Sequence, residues 1–170
     1  MSKRELKSYL KELKKKQLEE QIIELYDRFK EVKEFYNFAF NPNENKLIEE
    51  CKFKISKEYF PIRGRKAKMR RSVAQKYIKH FIRLGVECSI VADVMLYNIE
   101  IAQTYSADHY VKAESFYKSM LKSYTEAIQY ISENGLKKQF IERLEKISDE
   151  TIDQKWMNFK GFDIAFDELI

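Results

Sequence analysis

An all-α fold is the architecture this sequence predicts, on three observations. Its 170 residues include only 4 Gly and 2 Pro, whereas an all-β chain needs a turn about every ten residues. Apolar residues recur at steps of three and four along most of the length, which is the period of one helix face. A hydrophobic content of 44% supplies a core for those faces. One helical domain over 1–170 is expected, with about eight to ten helices packed as antiparallel pairs in a helical bundle or a short α-α superhelix.

The elements follow in order. Ser2 with Glu5 three residues later reads as a capping box, each side chain meeting a backbone N–H that the first turn leaves unpaired. Leu6, Leu10 and Leu13 make one stripe, and Leu18, Ile22, Leu25, Tyr26 and Phe29 a second, together a helical hairpin. Phe35, Tyr36, Phe38 and Phe40 raise the aromatic density before the loop Asn41-Pro42-Asn43-Glu44-Asn45. Ile48, Cys51, Ile55 and Tyr59 give a helix that stops at Phe60-Pro61, because proline disfavours helical geometry in the residue before it. A basic interhelical loop at 61–72 follows. Ala74, Tyr77, Ile78, Phe81 and Leu84 resume the helical period, with Gly85 as a left-handed C-cap. Ile90 to Tyr105 is the most apolar stretch and the expected central helix. Ala113, Tyr117, Met120, Tyr124, Ala127 and Ile131 mark a long helix closed by Asn134-Gly135. Three short helices are then expected, around Phe140 to Ile147, Ile152 to Trp156 and Phe162 to Leu169.

The stretches RRSVAQKYIKHFIRLGV, ADVMLYNIEIAQTYS and ESFYKSML, with the opening KRELKSYLKEL, resemble a family of uncharacterised bacterial proteins catalogued as a domain of unknown function. The resemblance implies a bacterial, single-domain helical protein and brings no activity, cofactor or catalytic residue with it. The first helical pair is similar in length to the SAP-type DNA-binding hairpin, but has Lys14-Lys15-Lys16 where a glycine turn would stand.

Charge supplies the main functional signal. Arg63, Arg65, Lys66, Lys68, Arg70 and Arg71 put six positive charges into nine residues of a chain whose net charge is +5. The remainder is therefore close to neutral, and a concentrated positive segment attracts polyanions. Arginine presents a planar donor fork to phosphate; Gly64 would allow close backbone approach, and a helix starting at Lys66 or Lys68 would add free N–H groups. Lys76, Lys79, His80 and Arg83 could extend the patch along the next helix. RNA or DNA backbone, or an acidic protein, is the expected partner. Nothing in the segment has the spacing of a base-reading motif.

Asp93, Tyr97, Glu100 and Gln103 line one face of the central helix. Buried carboxylates need partners, and the preceding helix offers Lys76, Lys79, His80 and Arg83, so a polar network is expected there. No glycine-rich phosphate loop, hydrolase elbow or zinc spacing occurs, so no catalytic residue, metal or cofactor is expected. His109 is expected to lie exposed at a helix start, and Cys51 and Cys88 to be small core residues. The longest apolar run is four residues, Val94 to Tyr97, against about 20 for a membrane span. The first residues have no apolar segment of a secretory signal. The expectation is a cytoplasmic, non-enzymatic binding or scaffold module that contacts a polyanion. The alternative is a protein-interaction scaffold whose basic segment is purely structural.

Overall fold

The computed structural model describes residues 1–41, 43–62 and 65–169. Arg63 and Gly64, two members of the expected basic loop, lie outside the described residues, as does Pro42 of the 41–45 turn. Among the described residues the chain forms nine α-helices and no strand: α1 (Lys3–Glu12), α2 (Lys15–Arg28), α3 (Lys30–Phe40), α4 (Glu44–Tyr59), α5 (Arg71–Leu84), α6 (Cys88–Asp108), α7 (Glu114–Glu133), α8 (Lys137–Asp153) and α9 (Phe159–Asp167). Contacts gather into two units, Met1–Asn43 and Glu44–Ile170, which divide within the stretch 41–45 expected as a loop, whose Glu44 and Asn45 instead open α4.

The first unit holds α1 to α3. Its start is the expected capping box: the Ser2 backbone N–H donates to Glu5 Oε2 at 2.6 Å, and the Glu5 N–H donates to Ser2 Oγ at 3.3 Å. Gln21 on α2 donates to Tyr9 on α1 at 2.7 Å, and the Tyr26 hydroxyl donates to Asn37 on α3 at 3.1 Å. The aromatic stretch is itself a helix, α3, which the sequence reading leaves unassigned; Phe29 closes α2 and opens α3. None of the residues of α1, α2 and α3 is buried.

The second unit is built around α6. Val91, Ala92, Val94, Leu96, Ile99 and Ala102 have no exposed surface, as a helix apolar around most of its circumference requires. It packs against α4, α5, α7 and α8, while α9 rests on α7 and α8. Each neighbour contributes one stripe: Cys51, Ile55 and Tyr59 from α4, Ala74, Ile78, Phe81 and Leu84 from α5, Met120, Tyr124, Ala127 and Ile131 from α7. Full burial of each large side chain contributes about 1.5–3 kcal/mol before conformational entropy is set against it.

Most helix ends fall where local chemistry puts them. Gly85 ends α5 at φ 75°, a left-handed geometry that side chains resist, and Gly135 does the same after α7 at φ 68°. Two boundaries in the second half of the chain differ from the sequence reading. Ile152 and Trp156 do not form a helix of their own: α8 runs on to Asp153, and the chain turns through Lys155 at φ 53°. The turn drops Trp156 into the core against Phe116, Tyr117 and Phe162, with its indole N–H donating to Gln154 at 3.0 Å. His109 is exposed as expected, but it caps the end of α6 rather than starting a helix.

Candidate functional site: a basic cleft at the end of the fourth helix

The basic segment is anchored by one glutamate. After Tyr59 the chain leaves α4, and it returns so that the backbone N–H groups of Lys68 and Met69 both donate to the Glu58 carbonyl, at 2.9 and 3.0 Å. Met69 takes φ 48° to make this possible, a strained value for a side chain of its size. The Glu58 carboxylate meanwhile receives both arms of the Arg70 guanidinium, Nε to Oε2 and Nη2 to Oε1, each at 2.8 Å. That fork is the strong bidentate geometry of arginine with carboxylate, and hydrogen bonding by Arg70 holds the Glu58 carboxyl below its ordinary range.

Arg71 is also committed. It opens α5 and crosses to α7, where Nε donates to Ser123 Oγ at 2.7 Å and Nη2 donates to Glu126. Gln75 donates to the same glutamate at 3.1 Å. Because α5 begins only at Arg71, no helix N-terminus stands at Lys66 or Lys68, and the expected extra N–H donors are not there. Of the described candidates in the run, two arginines are therefore structural, while Arg65, Lys66 and Lys68 are exposed and form no ion pair among the described residues.

These three side chains line a cleft of about 500 Å³ together with Lys57 and Arg70, and with Pro61 and Ile62 as apolar walls. Among the described residues one acidic side chain lines it, Glu58, and that is already occupied by Arg70. Four cations, Lys57, Arg65, Lys66 and Lys68, are left over. The Lys57 ammonium also lies 3.9 Å above the Phe53 ring, which fixes its position without neutralising it. Lys76, Lys79 and Arg83 are exposed along α5 but line no part of the cleft, and His80 is half-buried on the same helix. Sequence reasoning missed Lys57 and Glu58, which sit inside a helical stretch and join the site only because the chain doubles back on α4.

The polar face of α6 does form a network, with partners other than those expected. Arg143 on α8 donates from Nη1 to Asp93 at 2.7 Å and from Nε and Nη2 to Glu100 at 2.5 and 2.8 Å. Lys52 on α4 reaches the other Asp93 oxygen at 2.6 Å and lies 5.1 Å from the centre of the Tyr97 ring. Lys76, Lys79, His80 and Arg83 take no part. They ride the outer faces of α5, because its inward face is given to Ala74, Ile78, Phe81 and Leu84. Gln103 is buried and donates to the Ile147 carbonyl at 2.8 Å. Burial would raise the Asp93 carboxyl, but hydrogen bonds from Lys52 and Arg143 outweigh it and leave its pKa lowered. The guanidinium of Arg143 is raised in turn, its burial offset by Glu100 and Asp93. Cys51 is buried and its thiol is pushed up to about 12, which leaves it protonated and poorly nucleophilic.

Among the described residues no three His, Cys, Asp or Glu side chains gather as a metal site, and no helix is long and apolar enough to cross a membrane. No curated protein and no solved structure matches the chain. The match that does exist spans nearly its whole length: the sequence model of a family of unknown function, DUF6155, covers residues 1–169, and the chain belongs to that family.

Proposed function

We propose that this protein is a non-enzymatic binding module whose cleft takes a polyanion, specifically the backbone of RNA or DNA. The observation that carries the reading is the charge of Lys57, Arg65, Lys66 and Lys68, unmatched by any carboxylate among the described residues, around one cleft whose one acidic residue among them, Glu58, is occupied by Arg70. Cations that no carboxylate neutralises keep their charge for an outside partner, and they release counterions from a phosphate chain on contact. Arg70 and Arg71 support the site by pinning the returning chain rather than by touching the ligand. Such contacts position a backbone and read no sequence. Unbridged Cys51 and Cys88 and the resemblance to bacterial proteins support a bacterial cytoplasmic setting.

The test is charge reversal of Arg65, Lys66 and Lys68 to glutamate, with binding of a labelled oligonucleotide followed by fluorescence anisotropy. Loss of binding with a nearly unchanged thermal melt supports the reading; unchanged binding defeats it. Reversal of Arg70 or Arg71 is the wrong test, since it would break the pairs with Glu58 and Glu126.

A protein-interaction scaffold is the second reading, favoured by those same two arginines being spent on internal partners and by the exposed apolar side chains of the first unit, Ile23 at 60% and Phe40 at 77%. A pull-down partner retained after nuclease treatment and high salt would favour it.

A further inference from the structure

The ends of α4 and α6 bring four rings together beside the cleft. Tyr59 and Phe60 lie 6.0 and 5.7 Å from Tyr105, centre to centre. Tyr105 and His109 are stacked face to face, 4.3 Å apart and 1° from parallel. Burial explains only part of this group. Tyr59 is in the core, but Phe60 is 41% exposed and the His109 ring lies at the surface. The imidazole is also held in place: Nδ1 lies 3.0 Å from the Tyr105 carbonyl and donates to it, since that oxygen can only accept. A flat ring, fixed and exposed at the end of a stack, is a platform for another planar group.

Phe60 links the ring group to the cleft along the chain. Phe60 precedes Pro61, a wall of the cleft, and the cleft's Lys68 is bonded through its backbone to Glu58, two residues before Phe60. A cation cleft alone accepts any polyphosphate. Cations beside a stacking platform suit a chain that alternates phosphates with accessible planar faces, and a single strand offers those faces while a duplex hides them between its base pairs.

We infer that the ligand is a single-stranded nucleic acid, with phosphates on Lys57, Arg65, Lys66 and Lys68 and a base stacked on the Tyr105–His109 pair. The inference rests on the cleft being a polyanion site, and the two fail separately in the following experiment.

Anisotropy is measured at about 50 mM salt with three probes of equal length: an oligothymidylate, an abasic phosphodiester strand and a DNA duplex. The proteins are the unaltered chain, His109→Ala and His109→Trp, each checked by thermal melting. His109 is exposed, so its replacement leaves the core intact. The expected result is oligothymidylate bound about tenfold more tightly than the abasic strand, the advantage lost in His109→Ala and kept in His109→Trp, because stacking on one base is worth roughly that factor. Equal binding of the abasic strand, a persistent advantage in His109→Ala, or preference for the duplex overturns the single-strand inference and leaves the polyanion reading standing. Binding of none of the three probes overturns both.

Discussion

Two clusters of charge in the second unit differ in how far they are matched. Around Arg143, two cations meet two carboxylates, and every one of Lys52, Asp93, Glu100 and Arg143 has a partner within 2.8 Å. Around the cleft, Glu58 is satisfied by Arg70 and four cations remain among the described residues. The first arrangement ties α4, α6 and α8 together and leaves little field outside itself. The second forms one ion pair among the described residues, Glu58 with Arg70, and leaves its other charge available for an external anion. The difference lies in arithmetic within a few ångströms, not in how basic or acidic a stretch of sequence is.

That contrast can be broken by mutation, the largest effect first. Reversing Arg65, Lys66 and Lys68 to glutamate should weaken oligonucleotide binding at least about a hundredfold near 100 mM salt, since six units of charge change where phosphates sit. The urea midpoint of the same variant should fall only slightly, because no ion pair is lost and only the weaker attraction of Lys68 for Glu58 goes. Arg143→Met should do the reverse. It strands Glu100 and leaves Asp93 with Lys52 alone, and with the network about a third exposed the loss of stability should be about 2 kcal/mol, read from urea unfolding, with binding by the folded protein unchanged. Arg71→Met removes the bonds to Ser123 and Glu126, and about 1 kcal/mol of stability should go with them. A shift in the urea midpoint as large as that of Arg143→Met would show that Arg71 matters more than its single crossing implies.

The smallest effect is a pH dependence. The Asp93 and Glu58 carboxyls are both lowered in the folded chain, so the folded state binds fewer protons than the unfolded one between their folded and unfolded values. Their stabilisation is complete above the unfolded values, about pH 4, and fades as pH falls through the folded ones. Acid unfolding of Arg143→Met should accordingly show a shallower fall below pH 4 than the unaltered chain. An equally steep fall would mean that Asp93 draws its depression from Lys52 alone.

Much of the fold was legible because local chemistry decides it. The Ser2 capping box, the stop at Phe60-Pro61, the Gly85 cap and the buried α6 all follow from residues within one or two turns of each other. The break between α2 and α3 at Phe29 was not, since neither glycine nor proline marks it. The spacing of four from Ile152 to Trp156 reads as helical, yet a turn at Lys155 buries Trp156 without one. At the site, the acidic face of α6 was legible and its partners were not. Arg143 lies 43 residues beyond Glu100, and only the packing of α8 brings it there. The same holds for the cleft. Six basic residues within nine read alike, and only the return of the chain to Glu58 and the crossing to Glu126 set Arg70 and Arg71 apart from Arg65, Lys66 and Lys68.

The most direct check of matched against unmatched charge is the salt dependence of single-strand binding, taken from about 50 to 200 mM for the unaltered chain, the Arg65, Lys66 and Lys68 triple reversal, and Arg143→Met. Four phosphate contacts give a slope of log affinity against log salt near −3. Such a slope in the unaltered chain and in Arg143→Met, collapsing toward zero in the triple reversal, is the expected result. A slope that survives the triple reversal, or that is lost in Arg143→Met while the protein stays folded, would contradict it.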